Sequence, residues 1–309
     1  MTKITRRETI IGASALTAAA LMSTNTAMGA QTKMADNKFD MSFGPHDGMF
    51  KNSAGADIID QINFAAEQGF TSWEDNEMKK RPIAEQERMA KALSDNGMTM
   101  GVFVANAIDW KNVSMSVGDP DYVANFVKEM EESVEVGKRV GAKWCTVVPG
   151  VADLNLHRDY QMANLTECLK RGSEVLEKGN MIMVLEPLNN YEDHPGLLLK
   201  EIPQAYYLCK AVNSPSCKIL FDMYHQQIQE GRIIRNIDAA WDEVAYFQIG
   251  DSPGRNEPTT GEINYKNIFH HIYNKGYCGV MGMEHGNSKD GVAGEKAVID
   301  AYLEVGNFL

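Results

Sequence analysis

The sequence predicts an α/β protein built as a single (β/α)8 TIM barrel, and three observations support this fold. Short apolar runs of strand length alternate with amphipathic helical stretches, a pattern typical of a parallel sheet with crossover helices. Eight such units fit into the roughly 279 residues that follow an N-terminal leader, close to the ~250 residues of a typical barrel. Residues able to bind a metal end the later strands, where barrels carry their functional groups.

The first half of the chain supplies the first four strands. Phe39–Phe43 is the first predicted strand, and Ile58–Gly69 is a helix because its apolar residues recur at helical spacing before a final glycine. Helix Pro82–Asn96 has proline at its start and a glycine after its end. Asp119-Pro120 opens a long helix, since Asp is a good N-cap and Pro a good first residue. The other strands of this half are predicted at 71–74, 98–105 and 143–148.

The second half continues the alternation. Arg158–Lys178 is a predicted helix, and the apolar run Met181–Pro187 is the fifth strand. The remaining helices are predicted at 201–212, 228–237, 264–275 and 294–305, and the remaining strands at 218–222, 244–249 and 277–284. A doubly wound open sheet is the alternative fold. Its dinucleotide-binding version has no support, because no GxGxxG follows the first strand.

Residues 1–30 are predicted to be an export signal, which leaves residues 31–309 as the barrel domain. Arg6 and Arg7 precede the apolar run Ile10–Met22, and small residues follow at 27–30. The run is shorter than the ~20 residues that cross a bilayer, so stable membrane insertion is not expected. The paired arginines predict the twin-arginine route and a periplasmic location.

Charge and cysteine usage narrow the class further. The chain carries 30 basic and 42 acidic residues, a net charge of −12. Without a basic stripe, nucleic-acid binding is not expected, and a small-molecule substrate is the predicted partner; a homo-oligomer stays open. The five cysteines show no CxxC spacing, and we expect buried thiols, although a Cys209–Cys217 bridge stays open.

Four residues at the ends of neighbouring strands form a candidate metal site. Glu186, Asp222, Gln248 and Glu284 end the fifth to eighth predicted strands, at separations of about one βα unit. Three carboxylates gathered at one point would repel each other unless a cation offset their charge. Ligands that are all oxygen favour hard divalent ions, so we predict Mg²⁺ or Mn²⁺, with Ca²⁺ as a further option.

Other polar residues in the same loops are candidates for substrate binding. His225 lies three residues after Asp222 and could donate to a substrate hydroxyl or act as a fifth ligand. Arg255 lies at a tight turn, and its guanidinium group can form two parallel hydrogen bonds to a substrate carboxylate. Glu192 lies six residues after Glu186. The same loops also carry His46, Asn106, Trp110 and His285.

Four segments of the sequence resemble a known group of enzymes. The segments LEPLNNYEDHPG, LFDMYHQQ, FQIGDSPGRNEPTTGEINY and GMEH are similar to the sugar isomerase/epimerase superfamily with the xylose-isomerase-like TIM barrel, and within it to the hydroxypyruvate isomerase branch. The resemblance is strongest over 180–290. It implies a divalent metal on the four strand-end residues and an acid/base pair formed by the two glutamates. It also implies that His225 and Arg255 contact the substrate. The export signal and the loop GPHDGMF depart from that branch.

Together, the strand-end residues and the resemblance predict a metal-dependent isomerase. Moving a carbonyl to the adjacent carbon requires removal of an α-proton, and a metal chelated by the substrate oxygens stabilises the enediolate. We expect Glu186 and Glu284 to remove and return the proton, converting hydroxypyruvate to tartronate semialdehyde. The alternatives are an exported epimerase or lyase acting on a free sugar or keto-sugar, and a sugar-binding protein without activity. The superfamily's abasic-DNA endonucleases need a basic face and a His-rich site, which this acidic chain with seven His lacks.

Overall fold

The computed structural model describes residues 38–308. The predicted export signal lies outside these residues and stays a prediction. The strands are β1 (Ser42–Gly44), β2 (Ser72–Trp73), β3 (Thr99–Met100), β4 (Trp144–Val147), β5 (Ile182–Leu185), β6 (Cys217–Asp222), β7 (Val244–Gln248) and β8 (Val280–Gly282). The helices are α1 (Lys51–Ala54), α2 (Ile58–Gln68), α3 (Ile83–Asp95), α4 (Pro120–Val140), α5 (Arg158–Lys178), α6 (Ile202–Val212), α7 (Met223–Gln229), α8 (Ile233–Ala240), α9 (Tyr265–Asn274) and α10 (Gly291–Val305), with a 3₁₀ helix at Met78–Lys80.

Every ladder between these strands is parallel. Six strands form one sheet in the order β1-β8-β7-β6-β5-β4, and β2 pairs with β3. Single bridges join the two sheets at both edges: His46 pairs with Glu74, and Val104 pairs with Thr146. The strands therefore follow chain order around a closed circuit, which is the topology of a (β/α)8 barrel. The predicted fold is confirmed for the described residues.

The helix boundaries follow from local capping. The Asp119 side chain accepts the N–H of Asp121 and starts α4, with Pro120 as the first helical residue. Gly141 ends this helix in the left-handed conformation, at φ 71°. Helix α5 has the predicted bounds. These helices lie where the sequence places them because their caps are encoded locally.

The predicted helix at 228–237 is wrong, because the structure has two helices in this region. Asp222 accepts the N–H groups of Tyr224 and His225, so α7 begins directly after β6. Gly231 and Arg232 then adopt left-handed conformations, at φ 62° and 52°. This break separates α7 from α8 and leaves α7 at the end of the barrel where the strands finish.

Several observed strands are shorter than predicted. The predicted strand 98–105 forms a ladder only at Thr99–Met100. Beyond it, the N–H of Val102 donates to the hydroxyl of Tyr246, 3.3 Å away, and regular pairing stops. Strand β8 begins at Val280, three residues later than predicted. One result is that Cys278 is exposed, whereas the other four cysteines are buried as expected; all five are free, including Cys209 and Cys217.

The interior of the barrel is a small apolar cluster. Its fully buried members come from different strands or strand extensions and are Val102, Val184, Leu220, Tyr246 and Val280. A larger apolar layer fills the space between the strands and the surrounding helices. Tyr246 is the polar member of the inner cluster, so its hydroxyl needs a partner inside the barrel. Among the described helices, none is both long and apolar enough to cross a membrane.

Truncation of Leu220 tests the interior packing. Leu220 is completely buried, whereas Leu154 is 96% exposed. We expect Leu220→Ala to lower the free energy of unfolding by about 2–5 kcal/mol, because it removes buried methyl groups and leaves a cavity. The same change at Leu154 should shift it by no more than about 0.5 kcal/mol. Urea unfolding followed by circular dichroism measures both. Equal effects of the two substitutions would contradict the assigned interior.

Candidate active site

Four strands deliver the predicted metal-binding residues to one end of the barrel. Asp222 and Gln248 are the last residues of β6 and β7, and they are paired in register. Glu186 follows β5 by one residue, and Glu284 follows β8 by two. Because all four strands are parallel neighbours, their side chains meet at the same end.

Three of these side chains and one histidine form a compact cluster. One ligand atom each from Glu186, Asp222, His225 and Glu284 lies within 4.8 Å of the others. The first three residues are buried, whereas Glu284 is partly exposed. Such a group could hold a metal ion.

The cluster is strongly acidic. Burial raises the pKa of Glu186 well above its usual range, and the charges of Glu284 and Asp222 raise it further. Burial also raises the pKa of Asp222, against the opposing effect of Arg255. The guanidinium Nη2 of Arg255 lies 2.6 Å from Glu284 Oε2 and 3.6 Å from Asp222 Oδ2. A single guanidinium does not balance three carboxylates, so a divalent cation suits this site.

Unpartnered buried atoms support the same conclusion. Asp222 uses Oδ1 to cap α7, at 2.7 Å from the N–H of Tyr224, while its Oδ2 has no hydrogen-bond partner in the described part of the chain. Gln248 Oε1 is likewise buried without a partner among residues 38–308. Buried polar atoms are nearly always paired. The residues therefore fit a cation bound by Glu186, Asp222, Gln248 and Glu284.

The hydrogen bonds of His225 determine which ring nitrogen carries the proton. Asn189 Nδ2 lies 2.8 Å from His225 Nδ1, and Asn189 Oδ1 already accepts the N–H groups of Glu192 and Asp193. Asn189 therefore donates to Nδ1. Burial lowers the pKa of His225 to about 3, so the ring is neutral and its proton lies on Nε2. In this tautomer Nε2–H, 3.7 Å from Asp222 Oδ2, is a hydrogen-bond donor and offers no lone pair to a metal.

The loop after β7 places Arg255 over the cluster. The N–H of Arg255 donates to the carbonyl of Asp251, and the N–H of Asp251 donates to that of Asn256, which closes the loop. The guanidinium stacks over the ring of Tyr224 at 4.8 Å. Arg255 is thus held at the cavity by its backbone and by its side chain.

Several loop residues that the sequence suggests lie away from the cluster or have their polar atoms bonded elsewhere. Glu192 is exposed and does not line the cavity. His285 turns away from Glu284, and its Nε2 lies 2.9 Å from the hydroxyl of Tyr302. Asn106 ties two strand ends together, because its side chain bonds both backbone groups of Val148.

Other site residues escape sequence reasoning. Asn76 Nδ2 donates to Glu284 Oε1 at 2.7 Å. His194 stacks on Trp110 at 5.0 Å and lies beside His225. Glu74 is buried and accepts a hydrogen bond from Gln248. Burial and the charge of Glu284 raise the pKa of Glu74 to about 8. No apolar run marks Glu74 and Asn76, since they follow a two-residue strand in an acidic stretch.

A cavity of about 770 Å³ opens onto the cluster. The side chains that line it include Glu186, His225, Arg255, Glu284, His194 and Trp110. The cavity lies at the barrel end where βα loops form active sites.

Comparison with known proteins assigns the class. The family model described as xylose isomerase-like TIM barrel matches residues 62–303, and the chain belongs to that family. The chain is 28% identical to hydroxypyruvate isomerase of Escherichia coli K12 over 200 residues, covering 64% of this chain and 77% of the relative. It is 27% identical to 2-oxo-tetronate isomerase of Cupriavidus necator over 229 residues, covering 74% and 86%.

Solved structures share the fold. An AP endonuclease of family 2 from Brucella melitensis superposes with a TM-score of 0.72 at 21% identity, covering 85% of this chain and 96% of that one. The 3-keto-D-glucoside 4-epimerase of Escherichia coli gives 0.69 at 18% identity, covering 85% and 99%.

Cation binding can be tested through Asp222. In wild-type protein treated with EDTA, we expect added Mn²⁺ to raise the midpoint of thermal unfolding, because a ligand that binds the folded state stabilises it. Asp222→Asn should lose most of this shift, since it removes a charged ligand. Asn caps helices as well as Asp, so α7 is retained. Glu192→Gln, an exposed acid in the neighbouring loop, is the control and should respond to Mn²⁺ as the wild type does. An unchanged Mn²⁺ response in Asp222→Asn would contradict the proposed site.

Proposed function

We propose that this protein is a metal-dependent isomerase that acts on a small hydroxy-keto acid and converts hydroxypyruvate to tartronate semialdehyde. The observation that carries the proposal is the convergence of Glu186 and Glu284 with Asp222 and His225 within 4.8 Å at the wall of one cavity. Two carboxyl groups at one point can remove a proton from one carbon and return one to its neighbour. The isomerase names of the curated relatives add support.

The metal site supports this chemistry. When bound by Glu186, Asp222, Gln248 and Glu284, a divalent ion would stabilise the negative charge that develops on the substrate oxygens. The oxygen donors favour Mg²⁺ or Mn²⁺.

The surrounding contacts divide the roles between the two glutamates. Asn76 and the Arg255 guanidinium donate to the two oxygens of Glu284, at 2.7 and 2.6 Å, and so hold it as a carboxylate base. Glu284 removes a proton from C3 of hydroxypyruvate. Glu186 delivers a proton to C2, and the hydroxyl proton moves from the C3 oxygen to the C2 oxygen. His225 Nε2–H donates to the oxygen on which charge develops. Arg255 keeps N–H groups for the substrate carboxylate.

Glutamate-to-glutamine variants test these roles. We expect Glu284→Gln and Glu186→Gln each to lower kcat by about 10²–10⁴-fold, the usual contribution of general acid–base catalysis. In D₂O, Glu186→Gln should still exchange the C3 proton of hydroxypyruvate, because Glu284 remains to remove it. Glu284→Gln should not. Proton NMR of substrate and product follows both exchange and turnover.

Metal content separates lost chemistry from a lost ion. Bound Mn²⁺ is measured in each variant, and rates are compared at saturating Mn²⁺. Full turnover by Glu284→Gln with metal bound would contradict the proposed base. Exchange by Glu284→Gln but not by Glu186→Gln would reverse the two roles.

A second candidate function is an exported epimerase or lyase acting on a free sugar or keto-sugar. The supporting observation is the cavity of about 770 Å³, since pockets of ~300–1,000 Å³ suit drug-sized ligands, which are much larger than a three-carbon acid. Trp110 is 49% exposed and is stacked on His194, so its free face is available to the C–H groups of a sugar ring. The predicted export signal and the epimerase name of a similar structure favour the same substrates.

Trp110 distinguishes the two substrate classes. We expect Trp110→Ala to raise KM for ketohexoses about tenfold with little change in kcat, because it removes a stacking surface away from the proton transfer. KM for hydroxypyruvate should change less than about threefold. Steady-state kinetics on both substrates measure the difference. Tyr191→Ala, at an exposed aromatic in a neighbouring loop, is the control. Absence of ketohexose turnover in the wild type would exclude ketohexoses as substrates of the second candidate.

A further inference from the structure

Glu74 is a buried carboxyl that the proposed reaction does not use. It directly follows β2, is 1% exposed, and lies inside the barrel below the acidic cluster. Burial without partners would be costly for a carboxyl group. Its contacts therefore indicate what it does there.

Both oxygens of Glu74 receive hydrogen bonds from β7. The hydroxyl of Tyr246 donates to Oε2 at 2.7 Å, and Gln248 Nε2 donates to Oε1 at 2.8 Å. The N–H of Val102 points at the Tyr246 hydroxyl oxygen, 3.3 Å away. Because that oxygen already accepts from Val102, the hydroxyl proton is directed at Glu74. The bonds therefore form one ordered chain from Val102 to Gln248.

Two glycines make room for this chain of bonds. Gly282 of β8 is in register with Gln248, and a Cβ at Gly282 would collide with Glu74 Oε2. A Cβ at Gly101 would collide with the Tyr246 hydroxyl. Strand β8 thus lacks a side chain at the level where Glu74 reaches β7. The path from Glu74 to Gln248 is open because of Gly282.

The bond to Glu74 fixes the orientation of the Gln248 amide. With Nε2 on Glu74, Oε1 lies on the other arm of the amide. It is buried without a partner in the described chain, beside Asp222 on the adjacent strand. When Glu74 is ionised, the reversed amide would place Oε1 against a Glu74 oxygen, where two acceptors repel. Only the orientation with Nε2 on Glu74 satisfies the ionised carboxylate.

We propose that Glu74 is a positioning residue that turns the oxygen of Gln248, not its nitrogen, toward the metal and so makes the enzyme select a hard divalent cation. The proposal rests on the metal site of the proposed function. With Gln248 held in this way, all four ligands offer oxygen, the donor that suits Mg²⁺ and Mn²⁺ better than Zn²⁺. A reversed amide would present an NH₂ group, which does not bind a cation.

Glu74→Gln tests the orientation. The amide of the substituted residue has one acceptor, its oxygen, which receives the hydrogen bond from the Tyr246 hydroxyl. Its NH₂ group then faces Gln248. The Gln248 side chain must reverse so that its oxygen accepts from that NH₂ group. We expect Mn²⁺ affinity to fall about 10–100-fold, the usual effect of losing a residue that orients a metal ligand. Zn²⁺ affinity should fall less, so that the ratio of Mn²⁺ affinity to Zn²⁺ affinity decreases. Mn²⁺ is titrated into protein from which metal has been removed with EDTA, and electron paramagnetic resonance measures the concentration of free Mn²⁺. Repeating the titration with Zn²⁺ as competitor gives the Zn²⁺ affinity.

Two further variants separate orientation from general disruption. Tyr246→Phe removes the other hydrogen bond to Glu74 but leaves Gln248 in place, and its Mn²⁺ affinity should stay within about threefold of the wild type. In the swap Glu74→Gln/Gln248→Glu, the amide donates to one carboxylate oxygen and the second oxygen faces the metal. Because either oxygen of a carboxylate can bind a cation, the double variant should restore or exceed wild-type Mn²⁺ affinity.

The outcomes separate failure of this proposal from failure of the proposed function on which it rests. Wild-type Mn²⁺ affinity in folded Glu74→Gln would overturn the role of Glu74 and leave the metal site intact. Absence of divalent-ion binding by the wild type would overturn both. If Glu74→Gln does not fold in EDTA, as judged by circular dichroism, the swap decides. Failure of the folded swap to bind Mn²⁺ overturns the proposal, and equal losses in Glu74→Gln and Tyr246→Phe do so as well.

Discussion

Mutual repulsion among buried carboxyl groups is the constraint on which the rest of this site depends. Glu186, Asp222 and Glu284 converge within 4.8 Å together with His225, in surroundings that raise the pKa of Glu186 and Asp222. Arg255 brings one positive charge close to two of the three carboxyl groups, Asp222 and Glu284. Such an arrangement persists in a folded protein where a cation offsets the charge. The repulsion therefore connects the fold to the chemistry, because the charge that draws in a metal also supplies the proton-transfer groups.

The uncharged members of the cluster are arranged around that constraint. His225 is neutral and its lone pair is occupied by Asn189, so it presents a donor to the site without adding positive charge. Gln248 presents an oxygen without adding negative charge. A carboxylate in place of Gln248 would increase the repulsion, and an imidazole would bring a nitrogen ligand. The neutral amide suits a hard ion, provided that its orientation is fixed.

The sequence predicts those parts of the site that local patterns encode. Glu186, Asp222 and Glu284 end apolar runs spaced by about one βα unit, so the fold and the acidic cluster can be inferred together. Glu74 also ends a predicted strand, 71–74, but that stretch is short and mostly polar, so an acid at its end resembles a solvated loop residue. The break at Gly231 is also invisible in the sequence pattern, because the helical periodicity runs through it. Both depend on contacts between strands and loops distant in sequence.

The hydrogen bonds of Tyr246 and Glu74 suggest why the barrel interior is not fully apolar. A barrel of this kind is normally filled by branched apolar side chains, yet here a tyrosine and a carboxyl group replace part of that layer. Gly101 and Gly282, which lie against Tyr246 and Glu74, contribute no side chain to the packing there. Loss of packing and burial of polar groups both oppose folding. These losses are understandable if the polar chain orients a group at the reaction end of the barrel.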